Sequence, residues 1–162
     1  MNFLKYSILA FLILMITSCN KNVDTETEEL AIKTVIENQT KYYLAKDYKK
    51  NAEQFVQDES LIVLVASKHD YGYAEGWEMA DKYNKINFKE DSSNGKLKFI
   101  NEDYKIKIYK GTAWVVYNEM VYNANGDFIK KVINVRFLEK NNGNWKIVFL
   151  GDVNTTSYKN NL

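Results

Sequence analysis

The chain of 162 residues contains no proline, one cysteine, one histidine and one arginine. Each scarcity removes some chemistry. Cys19 has no second cysteine to pair with, so no disulfide forms within the chain. His69 leaves a Ser-His-Asp triad a single candidate base, and a zinc site built from several histidines is not available. Lysine supplies every basic side chain except Arg136, and 22 basic against 21 acidic groups leave a formal net charge of +1. That balance argues against nucleic acid as a partner. No cofactor and no metal are expected. Apolar residues make up 46% of the chain, enough for one domain with a hydrophobic core.

The longest apolar run stands at the start, in MNFLKYSILAFLILMITSC. One positive charge, Lys5, precedes an unbroken apolar stretch from Ile8 to Ile16. A bilayer-spanning helix needs roughly 20 apolar residues, so this stretch is too short to span. It has the length of a secretory signal core. Ile16-Thr17-Ser18-Cys19 resembles the lipobox of bacterial lipoproteins. The resemblance implies that the Cys19 thiol takes a diacylglycerol, that cleavage falls just before it, and that the freed amine is acylated. Such acylation exceeds the two signals that stable membrane anchoring needs. The expected division is therefore a signal peptide over 1–18, a polar tether over 19–26, one domain over 27–157 and a tail over 158–162. Asn20 is not the aspartate that retains some lipoproteins in the inner membrane, so the expected location is the bacterial cell envelope, the outer membrane rather than the inner.

Past the tether, Thr25 and Glu28 have the spacing of a capping box. Ile32, Val35, Ile36, Gln39 and Tyr43 recur at helical spacing, which predicts a first helix to about Ala45. Asp47 reads as the N-cap of a short second helix. LIVLVA, Leu61 to Ala66, reads as a buried strand, and a third helix opens near Gly76 with Met79, Ala80, Tyr83 and Ile86 on one side. The rest alternates in long strands with turns at Lys110-Gly111, Asn125-Gly126 and Asn142-Gly143. Helices followed by an antiparallel meander define an α+β class with the helices on one face.

Four stretches, YLAKDYKKNAEQF, GWEMADKY, IYKGTAWVVYNE and VRFLEKNNGNWKIVFL, resemble in order the nuclear transport factor 2-like (SnoaL-like) domains, and the last is also similar to the association domain of calcium/calmodulin-dependent kinases. The resemblance covers about residues 28–156. It implies a cone-shaped, cystatin-like fold with about three N-terminal helices on a curved, mainly antiparallel sheet. It also implies homodimers through the outer sheet face and a small-molecule pocket at the open end of the cone. Arg136 stands nine residues before Trp145, where the kinase association domain carries a pocket-facing arginine.

If both Asn-Gly turns are two-residue hairpins, Tyr117 faces Asn134 and Asn134 faces Gly151. Val115, Tyr117, Glu119, Asn134, Arg136, Ile147 and Phe149 then share one face, with Trp114, Phe137, Val148 and Leu150 on the other. The candidate ligand site is Arg136, with Glu119 as its ion-pair partner, Tyr117 and Asn134 beside it, Tyr43 from the first helix and Trp77 as a floor. Asp152 falls on the opposite face by this parity. Arg136 suits an anionic group on a small ligand. Glu119 is the one candidate acid/base for an isomerase or hydrolase, which leaves an enzymatic role open. The two-carboxylate arrangement of limonene-epoxide-hydrolase-like enzymes is not met, because Asn134 and Leu138 flank Arg136 two residues away. A third reading is a protein-interaction module without pocket chemistry.

Overall fold

The computed structural model describes residues 25–67, 71–90 and 97–155. Cys19, the leader, the tether up to residue 24, His69 and the tail over 158–162 lie outside the described residues, while Thr25 and Glu26, expected in the tether, are helical. Among the described residues no helix is long and apolar enough to cross a membrane.

Helix α1 (Thr25–Leu44) buries Ile32, Ile36 and Thr40. These residues follow the predicted apolar spacing, so one stripe of the helix meets the sheet. Glu28 reaches across to the last hairpin, where its two carboxylate oxygens accept from Lys140 Nζ at 2.5 Å and Trp145 Nε1 at 2.6 Å. Helix α2 (Tyr48–Ala52) starts at Asp47, whose Oδ1 accepts from the Lys50 amide at 3.1 Å, the expected N-cap. Strand β1 (Ile62–Ala66) pairs with β2 (Tyr71–Glu75), a strand that the sequence pattern does not predict. Helix α3 (Gly76–Glu90) follows. Its start is held by hydrogen bonds from Gly76 N to Leu61 O and from Trp77 N to Asp58 O, both 2.8 Å. Ala80 is buried, whereas Met79, Tyr83 and Ile86 stay largely exposed, so the predicted apolar stripe of this helix is not packed into a core.

Strands β3 (Lys98–Tyr109), β4 (Thr112–Tyr122), β5 (Phe128–Asn141) and β6 (Asn144–Thr155) form the meander. The six-stranded sheet has the order β2-β1-β6-β5-β4-β3, antiparallel except for the β1–β6 pair. The architecture is α+β, as expected, with that one parallel pairing unforeseen. At one end of the sheet the turns at Gly111 and Gly143 sit over the hydrophobic core of Ile32, Ile36, Val115, Leu138, Trp145 and Ile147.

Register decides which side chains face the helices. The β4–β5 connection is not a two-residue turn: Asn123 N bonds Asp127 O around a three-residue tip in which Gly126 has φ of +87°. A bulge in β5 then restores the expected count, and Tyr117 faces Asn134 as predicted. The β5–β6 turn does have two residues, both at positive φ, but the register shifts between Phe137 and Leu138. Ile147 faces Leu138 and Phe149 faces Phe137, which leaves Val148 as an extra residue. Asn134 therefore faces Asp152 and not Gly151. Beyond the bulge the expected faces exchange: Leu150 and Asp152 turn inward, and Phe149 turns out to meet Phe137 ring edge to ring face at 5.4 Å. The bulge has a non-local cause. On its other edge β6 is bridged at Ile147 by Phe55 and from Phe149 onward by β1, so Val148 falls where the strand changes neighbours.

Candidate functional site

At the other end of the sheet a cavity of about 720 Å3 opens between α1, α3 and the inner face. Its walls include Tyr43 from α1, Ala80 and Tyr83 from α3, Val63 from β1, Tyr73 from β2 and Phe99 from β3. Glu119, Arg136 and Asp152 enter from β4, β5 and β6, with the exposed Lys130 also on the wall. A largely apolar hollow with a few converging polar groups is the ordinary form of a small-molecule site.

Arg136 is 2% exposed and is held on several sides. Its Nη1 donates to Asp152 Oδ1 at 2.7 Å, to Val135 O at 3.1 Å and to Gly151 O at 3.2 Å. Its Nη2 donates to Asn134 Oδ1 at 3.1 Å. Burial, the largest influence, works to lower the guanidinium's proton affinity, but Asp152, Tyr117 and Glu119 together outweigh it, so Arg136 stays charged. Its ion-pair partner is Asp152 and not Glu119, a correction that follows directly from the Val148 bulge. Nε of Arg136 is buried without an acceptor.

Glu119 faces the cavity but stands apart from this network. No hydrogen bond or ion pair satisfies its carboxylate among the described residues. Burial first, and Asp152 second, push its pKa up to about 7 against the pull of Arg136 and Lys130. A carboxyl in that state can hold or release a proton at neutral pH, the property required of an acid/base group and also of a hydrogen-bonding anchor.

The remaining expected residues divide. Tyr43 lines the cavity and packs edge-on against Phe88 at 5.5 Å. Asn134 and Tyr117 lie outside the cavity wall. Asn134 holds Arg136, and Tyr117 carries the guanidinium 5.5 Å above its ring while stacking on Tyr104 at 5.0 Å. The Tyr117 hydroxyl is buried without a partner, and burial raises its pKa. Trp77 is not the floor of the cavity. The bonds that tie the start of α3 to Asp58 and Leu61 set this ring against the hydrophobic core. Asp152, Tyr73 and Lys130 were missed from the sequence. Gly151 was the one available sign of irregularity near Asp152, since a glycine inside a strand often marks a bulge or a close approach. Here a Cβ on Gly151 would lie 2.7 Å from the Phe149 ring, which the bulge has turned to that side.

The fold and its cavity define a nuclear transport factor 2-like, cystatin-like architecture, as the solved structures it resembles bear out. An NTF2-like protein of unknown function from Shewanella oneidensis superposes with a TM-score of 0.61 at 20% identity, over 78% of this chain and 98% of the other. An NTF2-like family protein from Streptomyces avermitilis, provisionally named a dehydratase, gives 0.68 at 10% identity over 82% and 99%. A provisionally named calcium/calmodulin-dependent protein kinase type II association domain from Thiobacillus denitrificans gives 0.64 at 6% identity over 75% and 93%. At these identities the likeness concerns the fold. No family model and no curated protein matches the sequence.

Proposed function

We propose that this chain is a lipid-anchored protein of the bacterial envelope whose domain holds a small molecule in the cavity beside Glu119. The observation that carries the reading is an unpaired carboxyl facing a cavity of about 720 Å3. Glu119 is half-buried and turns its carboxyl to the cavity, so a ligand's polar atom can take the place of cavity water there. The Arg136–Asp152 pair, held by Asn134, is the rigid back wall against which the ligand rests. An anionic group on the ligand would have to share the guanidinium with Asp152. Lipid on Cys19 would fix the domain at a membrane, the outer one by the Asn20 criterion. The outer sheet face, where Trp114 and Phe137 are both more than two-fifths exposed, suits a second copy of the chain.

The test is native mass spectrometry of protein isolated from its own cells. The expected result is acylated Cys19 as the first residue and a non-covalently held small molecule. That molecule should be lost from the variant Ala80→Phe, which fills the cavity. Acylated protein that carries no ligand under conditions preserving the fold would overturn the binding reading. Sedimentation of Phe137→Lys, expected to be monomeric, checks the second copy.

The titration of Glu119 near neutrality favours a second reading, an acid/base enzyme of the isomerase, hydrolase or dehydratase kind. It gains modest support from the provisional dehydratase name of one structural neighbour. Under it, Glu119→Gln abolishes turnover and leaves binding of the retained molecule nearly intact. Under the first reading no turnover of that molecule is found in either protein.

A further inference from the structure

Building on the cavity reading above, we infer that the ligand carries a protonated amine, seated against Glu119 and Asp152 with its apolar part among the tyrosines. Three observations converge. Arg136 already has a carboxylate at 2.7 Å and three further hydrogen bonds from its two terminal nitrogens, so its charge is offset within the protein. Among the described residues the carboxyl of Glu119 on the cavity wall has no ion-pair partner, and the groups around it determine which ligand charge it tolerates. Asp152 on β6 and Glu37 on α1 oppose a further negative charge there. Arg136 and Lys130 on β5 favour one, but the first is committed to Asp152 and the second is exposed to water. A cation placed between Glu119 and Asp152 relieves both, whereas a carboxylate placed there adds to the repulsion.

The walls point the same way. Tyr43, Tyr73, Tyr83 and Phe99 offer aromatic surface around that position, and ring faces attract an ammonium. Tyrosine rings on this side of the molecule already take cations: the ammonium groups of Lys46 and Lys85 lie 5.4 Å and 5.7 Å from the ring centres of Tyr43 and Tyr48.

Three isosteric probes separate the possibilities: phenethylamine, phenethyl alcohol and phenylacetate, titrated into the protein and followed by amide shifts in NMR spectra. The amine should bind at least about tenfold more tightly than the alcohol at a pH one unit above the Glu119 midpoint. Its affinity should fall on the order of tenfold as the pH drops to one unit below, because proton and ammonium compete for the same carboxylate. Glu119→Gln should remove both the preference and the pH dependence while the alcohol still binds. Alcohol or phenylacetate binding as tightly as the amine overturns the amine assignment and leaves the cavity reading standing. Binding of none of the three overturns both.

Discussion

The two ends of the sheet are built from the same strands and differ in what those strands send inward. At the end with the Gly111 and Gly143 turns, inward positions carry Val115, Leu138, Trp145 and Ile147, and α1 closes over them with Ile32 and Ile36. At the other end the same strands present Glu119, Arg136 and Asp152, and α3 covers them with only Ala80 buried. The first end is filled and apolar. The second is hollow and holds its charges in a fixed pair with one carboxyl left over. Stability is concentrated where the strands are uniform, and chemistry where they are interrupted.

That division can be broken from either side. The largest effect should come from the filled end: Ile36→Ala, at a site with no exposure, should lower the unfolding free energy by about 4 kcal/mol in urea denaturation. Asp152→Asn should cost less, about 3 kcal/mol, because the buried guanidinium loses its counter-charge while Asp152 itself keeps some contact with water. In that variant the Glu119 titration should also move down, since Arg136 is then uncompensated; NMR of the side-chain carboxyl reads this directly.

Glu119 gives a third, opposite effect. Its folded-state pKa lies near 7, above the ordinary 4.5, so the native state keeps a proton that the unfolded chain has released. Its contribution is most favourable below about pH 4.5, declines as pH rises to about 7, and is flat above. Glu119→Gln should therefore raise stability by about 2 kcal/mol at pH 8 and flatten that decline. The smallest effect should be Lys140→Met, which removes one partly exposed ion pair with Glu28 and costs about 0.5 kcal/mol in the same assay.

Much of the filled end was legible in the sequence, because it depends on local periodicity. Ile32 and Ile36 follow the helical period, Ile106 and Ile108 alternate with lysines, and Asn142-Gly143 names its own turn. The hollow end was legible only in part. Parity put Glu119 and Arg136 on one face and the family resemblance put Arg136 and Tyr43 at the pocket, whereas Asp152 was assigned to the wrong face. One extra residue at Val148 reverses every side chain after it, and its cause is the arrival of Phe55 and β1 on the far edge of β6. No pattern within β6 encodes a change of neighbour contributed by residues so distant in the chain. Strand β2 escaped for a related reason: with Ala74 alone buried, it has no alternation to read.

Helix α1 joins the two ends, and its 20 residues span about 30 Å. Glu28 grips Lys140 and Trp145 in its first turn, and Tyr43 stands at the cavity in its last. The helix is thus tied to the β5–β6 hairpin at its start and reaches the cavity only at its end, so the two ends of the sheet are coupled through one element.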